Sequence, residues 1–279
     1  MTSRRWWITG ASRGLGRALA EAVAARGDLV LASGRDRATL PTGAGLVPLA
    51  VDVRDTAAVT AAAEQLVAEH GGVDVVVSCA GHGLVGAVEE CSDDDLATIL
   101  DTHVGGAARL ARAVLPTLRA QGSGHVAVVS STGGAGAMPL LGAYNAAKWG
   151  LEGLASALAA EVAPDGIRVS IVEPGSIDTS WGTSSMAFAA AVPAYDALRE
   201  QLFGTREVPW PTTGSTGGGT SPGKIAATIL RHVDDPTDGR LRVLAGDDAP
   251  GQVAAALGSR LDDLRRDPRF AEAFDGVTV

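Results

Sequence analysis

The sequence predicts an α/β fold, and three features predict it. Short apolar runs of strand length alternate with longer stretches at helical spacing, a glycine-rich turn joins the first run to the first helix, and a second glycine-rich turn leads from Ser131 into another helix. The 279 residues allow one large domain, spanning 1–279, with a substantial core and little room for a second. A net charge of -9 argues against a nucleic-acid or anionic-membrane surface, which would need clustered Lys and Arg. The two cysteines, Cys79 and Cys91, have no CxxC or metal-ligand spacing, so reduced thiols in a cytosol and no metal site are expected. Neither a signal-type apolar region near the N-terminus nor an apolar run of membrane-spanning length is visible. A cytoplasmic protein is therefore expected.

Taken in order, residues 6–9 form a short apolar run that suits a buried first strand, and residues 14–26 form an alanine-rich helix. Between them lie Gly10, Ser12, Arg13, Gly14, Leu15 and Gly16. Strand, glycines and helix in this order suit a pyrophosphate, because backbone amides and the helix dipole then face the anion. Strands follow at 28–33, 47–53 and 73–77, with an amphipathic helix at 56–70 and one or two helices over 93–121. The triplet Asp93, Asp94, Asp95 suits the positive end of a helix dipole.

The apolar run 126–129 reads as a further strand, closed by Ser131, and residues 144–162 form a long helix. Tyr144 and Lys148 are four apart on that helix and share a face. An ammonium beside a phenol favours the phenolate, which predicts a tyrosine pKa lowered toward the range useful for proton transfer. Residues 167–172 and 241–244 supply the last two strands, and 250–279 is a mixed-charge helical tail.

Ser131, Tyr-x-x-x-Lys at 144–148 and Thr-Gly-x-x-x-Gly-x-Gly at 9–16 together resemble the short-chain dehydrogenases/reductases of the conventional type, over roughly residues 4–246. The resemblance implies a Rossmann-like doubly wound parallel sheet of about seven strands, with helices on both faces and a helical substrate lid. It assigns catalysis to Ser131, Tyr144 and Lys148, with His103 where the family has an asparagine that keeps a helix distorted and holds a relay water. Histidine both donates and accepts and titrates near 6.5, so His103 is expected either to act in that relay and add a pH dependence below neutrality, or to be a tolerated replacement on an inert turn.

The resemblance also supplies the cofactor contacts. Asp52 and Val53 would hold the adenine, Ala80 and Gly81 the cofactor backbone, and Pro174, Gly175, Ile177 and Thr179 the nicotinamide carboxamide. Ser78 and Cys79 replace the family's Asn pair, whose side chains brace neighbouring strands. Arg35 follows Gly34 at the end of the second strand, where an acid would accept from a free ribose 2'-hydroxyl and a base would suit a 2'-phosphate. With Arg13 placed as in NADP-preferring members, NADP(H) is favoured, while Asp36 leaves NAD(H) open.

In residues 180–223 the sequence becomes individual. Trp181, Met186, Phe188, Tyr195, Leu198, Leu202, Phe203 and Trp210 concentrate apolar bulk before the low-complexity tract 212–221. A lid on a flexible tether is expected, lining a pocket for a medium-sized, largely hydrophobic carbonyl or alcohol, or simply packing on the domain. The family's use of the long helix for dimer packing implies a homodimer or homotetramer. Reduction of a ketone is the expected reaction; epimerisation, dehydration or cyclisation, or a cofactor-binding protein with weakened catalysis, are the alternatives.

Overall fold

The computed structural model describes residues 3–178, 185–209 and 218–275. Seven parallel strands, β1 (Arg5–Thr9), β2 (Leu29–Gly34), β3 (Leu46–Ala50), β4 (Val75–Ser78), β6 (Gly124–Val129), β7 (Ile167–Pro174) and β9 (Arg242–Ala245), form one sheet in the order β3-β2-β1-β4-β6-β7-β9. Between β1 and β4 the order reverses direction, and the crevice beyond those two strand ends is where open α/β sheets take ligands.

Parallel strands are buried on both faces, and β1 shows this in its two tryptophans. Trp6 and Trp7 are both fully buried, pointing to opposite sides of the sheet. Trp6 packs with α1 (Gly14–Ala25) and α7 (Pro222–Asp234). Trp7 packs with α2 (Thr56–His70), α4 (Gly106–Gln121) and α5 (Gly142–Val162). Each indole N–H finds an acceptor, Asp28 Oδ2 at 3.0 Å and Ser33 Oγ at 2.9 Å, as buried indoles require.

Residues 93–121 fold as α3 (Asp93–Leu100) and α4, joined by a π-helical turn at Asp101–Gly105. The helix distortion implied by the family's asparagine is therefore present with His103 in its place. Ser92 caps α3 in a reciprocal capping box with Asp95.

A second, two-stranded parallel sheet pairs β5 (Gly83–Val85) with β8 (Met186–Phe188). It ties the lid to the segment after β4, and nothing in the three-residue strands announces it in the sequence. The lid continues into α6 (Asp196–Phe203), and the tail forms α8 (Ala249–Leu264) and α9 (Pro268–Asp275). Trp181, Trp210 and residues 212–217 of the expected tether lie outside the described residues. No described helix is long and apolar enough to cross a membrane.

Candidate active site

One cleft of about 2140 Å³ opens at the C-terminal ends of the strands. Apart from Asp36, every described residue that the sequence singled out for chemistry or cofactor contact lines it; Thr179 lies outside the described residues. At one end is the turn from β1 into α1. Gly10 and Gly14 have φ of +69° and +55°, a region that favours glycine. A Cβ on Gly10 would stand 2.8 Å from the Ala80 backbone, and one on Gly16 would collide with the Gly10 carbonyl. At Gly10 and Gly16 the loop has no room for a side chain, which fits a pyrophosphate against backbone amides.

Thr9, at the base of that loop, does what sequence reasoning missed. Its hydroxyl accepts from the amides of Cys79 at 3.0 Å and Ala80 at 3.1 Å, bracing β1 against the end of β4. It acts beside Ser78 and Cys79, the positions of the family's asparagine pair. Burial pushes the Cys79 thiol up to about 11, which disfavours the nucleophilic thiolate.

Beyond the glycine loop, at the end of β2, Arg35 is exposed, and Asp52 is held by Arg54 at 2.7 Å. Hydrogen bonds from Arg54 lower the Asp52 pKa, with a smaller contribution from the charge of Arg35. Asp36, the residue that left NAD(H) open, accepts from the Ala38 amide at 2.9 Å and caps the turn Arg37–Thr39.

At the other end Ser131, Tyr144 and Lys148 converge. Ser131 caps a 3-10 turn, accepting from the Gly133 amide at 3.1 Å, and hydrogen-bonds the Tyr144 phenol. Lys148 donates from Nζ to the Val129 carbonyl at 2.8 Å and sits 5.6 Å from the centroid of the Tyr144 ring.

The predicted lowering of the tyrosine pKa is not what this pocket produces. Burial pushes Tyr144 up to about 12, only partly opposed by the Ser131 hydrogen bond, and burial pushes Lys148 down to about 8. Spacing places the two groups on one face, but desolvation disfavours both charged forms.

His103 stands edge-on to Tyr144, ring centroids 5.9 Å apart, with Nε2 at 2.9 Å from the His82 carbonyl and 3.2 Å from the His82 amide. Desolvation, then the charge of Lys148, hold its pKa well below 6.5, so the expected titration just below neutrality is displaced to more acidic pH. A Cβ on Gly81 would overlap its imidazole, which explains a glycine there.

Of the lid's apolar side chains, Met186, Phe188, Tyr195, Leu198, Leu202 and Phe203 all pack with Val85, Ala87 and Leu140, and Met186, Leu202 and Phe203 also line the cleft. The tail covers one side of the same mouth: Thr132 Oγ1 donates to Gln252 Oε1 at 2.6 Å, and Arg260 stacks on Trp149 at 5.3 Å. Asn145 was also missed. From α5 it accepts from the Met138 amide at 3.2 Å and donates to the Gly133 and Gly136 carbonyls at 3.0 and 3.3 Å, shaping the loop after Ser131.

Among protein families, short chain dehydrogenase matches residues 5–188. This chain belongs to the short-chain dehydrogenase family. An oxidoreductase, BOA17 of Botryotinia fuckeliana (strain B05.10), is 36% identical over 278 residues, covering 96% of this chain and 98% of that protein. A short-chain dehydrogenase from Streptomyces avermitilis has a solved structure that superposes with a TM-score of 0.84 at 36% identity, over 98% of this chain and 100% of that one. An alcohol dehydrogenase from the archaeon Thermococcus sibiricus, solved with 5-hydroxy-NADP, gives 0.70 at 26% identity over 88% and 97%. The protein is an oxidoreductase of this family, with the family's parallel sheet.

Proposed function

We propose that this short-chain dehydrogenase reduces the carbonyl of a medium-sized, largely hydrophobic substrate with NADPH. The observation that carries the reading is the convergence of Ser131, Tyr144 and Lys148 at one end of a cleft whose other end is the glycine cradle. Between them these residues would hold a nicotinamide cofactor, which would supply the hydride. Ser131 hydrogen-bonds the carbonyl oxygen as negative charge develops, and Tyr144 delivers the phenolic proton to it. Burial keeps the Tyr144 phenol protonated, the form that reduction starts from; oxidation of the alcohol is the same path reversed, with the net direction set by the cofactor ratio.

Lys148, 5.6 Å from the Tyr144 ring centroid, would stabilise the phenolate left behind and would help hold the cofactor ribose. His103, buried and neutral, is read as a positioning group: it supports the Tyr144 ring from the π-helical turn. Arg13 and Arg35 at the ribose end support a 2'-phosphate, and with Asp36 committed to capping its own turn the NADP(H) reading gains over NAD(H). The apolar wall of Met186, Leu202 and Phe203 supports the hydrophobic substrate.

The test is a fluorescence titration with NADPH and NADH, beside a panel of hydrophobic ketones followed at the nicotinamide band. Tighter NADPH binding and turnover that vanishes in Tyr144→Phe, with binding retained, are expected. Cofactor binding with no turnover on any ketone would move the reading to same-fold isomerising or eliminating chemistry.

A further inference from the structure

Helix α8 buries little of itself, yet it touches both loops that frame the site. Only Ala249 and Val253 on it are buried, and Leu257 and Leu264 are 51% and 44% exposed. Core packing thus anchors its start alone. Asp248, Gln252, Ala256 and Arg260 recur every four residues and share one face, and each meets a different part of the cleft wall.

Asp248 stands at the N-terminal cap position, where an aspartate usually accepts from an amide of its own helix. It makes no such bond. Its Oδ2 accepts instead from the Ser176 amide at 2.9 Å, just past the end of β7, and from Gln252 Nε2 at 2.8 Å. A Cβ on Gly175 would collide with Asp248 Oδ1, so a glycine at that turn is what lets the carboxylate seat against the loop.

A carboxylate takes only donors, so the Gln252 amide nitrogen faces Asp248 and its oxygen is left for a hydroxyl. Thr132 Oγ1 meets it, donating to Gln252 Oε1 at 2.6 Å. Thr132 follows Ser131 and opens the 3-10 turn, and its carbonyl accepts from the Ala135 and Gly136 amides, both at 3.1 Å. One turn further along α8, the Ala256 Cβ lies 2.7 Å from where a Cβ on Gly136 would stand. Beyond it Arg260 stacks on Trp149, whose indole donates to the Gly136 carbonyl at 3.1 Å.

An unbroken run of hydrogen bonds therefore leads from Ser176 through Asp248 and Gln252 to Thr132. Residues of both loops it joins line the cleft. We propose that α8 is a splint across the site, in which Asp248 and Gln252 are positioning residues that hold the loop after β7 and the loop carrying Ser131 at a fixed separation, so that cofactor and carbonyl meet in reactive geometry. The two act through Ser176 and Thr132. The kinetic consequence rests on the reductase reading; the splint itself is read without substrate.

The test compares Gln252→Leu, which removes both bonds of the amide at similar volume, with Thr132→Val, the double variant and wild type. Hydrogen exchange of the protein without ligands is followed by mass spectrometry over residues 131–137 and 174–178, and kcat and KM are measured with NADPH and a ketone of the panel. In Gln252→Leu exchange rises in both segments, because the bond network that closes them is cut. Its kcat falls about ten-fold, the scale of a small misplacement of reacting groups, with KM and melting temperature near wild type. Thr132→Val lowers kcat as well and loosens 131–137 alone. The double variant is no slower than Gln252→Leu, since both changes cut the same bond.

Unchanged exchange in both segments of folded Gln252→Leu, additive losses in the double variant, or a lower melting temperature at unchanged kcat would each overturn the proposal, the last by reducing α8 to a structural prop. Should Gln252→Leu fail to fold, Thr132→Val decides by the same readings over 131–137. If wild type turns over no ketone, the reductase reading fails, and exchange alone then decides the splint.

Discussion

Replacing Thr9 with valine keeps the shape of the side chain and removes one hydroxyl. That hydroxyl is 1% exposed as part of its residue and accepts two amides, those of Cys79 and Ala80, at the point where β4 turns toward the cleft. Valine leaves both N–H groups without an acceptor. A buried donor stranded in this way costs about 1–3 kcal/mol. Both amides are only partly buried, so the sum is set near the low end, about 2 kcal/mol, and the gain of one methyl in a strand offsets little of it. Urea denaturation of Thr9→Val and Thr9→Ser measures this directly. The serine variant should stay near wild type, and the valine variant should lose stability with an unchanged m-value. NADPH affinity should fall in valine alone, because Ala80 and Gly81 line the cleft. A valine variant as stable as wild type would refute the claim that this hydroxyl braces β1 against the end of β4.

Gly81→Ala should destabilise by about 1–3 kcal/mol through overpacking, because the new methyl overlaps the His103 imidazole. Adding His103→Ala should recover part of that loss in a double-mutant cycle read by thermal melts. Arg199→Met should cost about 3 kcal/mol by leaving Glu90 buried without its 2.6 Å partner, and should raise KM for apolar substrates more than it lowers kcat, since the pair anchors the lid. Acid should destabilise the fold through its buried histidines. Burial holds His103 well below its ordinary value and takes His125 to about 3, whereas both titrate near about 6.5 in the unfolded chain. The unfolded chain binds more protons below about pH 6.5, so the unfolding free energy should fall as pH drops from there toward 3, as denaturation curves at successive pH values would show.

The sheet was legible because its signals are local: apolar runs of strand length, glycines where the chain turns tightly, and a long helix opening after Ser131. The lid's second sheet was not, because β5 and β8 are three residues each and pair across about a hundred residues of chain. The Glu90 and Arg199 anchor was hidden for the same reason, since neither neighbourhood marks its charge as buried. Site membership fared better, because each motif sits at the end of a strand and parallel strands bring their C-terminal ends to one edge.

What spacing could not supply was the sign of the electrostatics. Tyr144 and Lys148 are neighbours by sequence alone, yet whether an ammonium lowers a phenol's pKa depends on how much water both retain. With Tyr144 9% and Lys148 5% exposed, desolvation dominates and drives both toward neutrality.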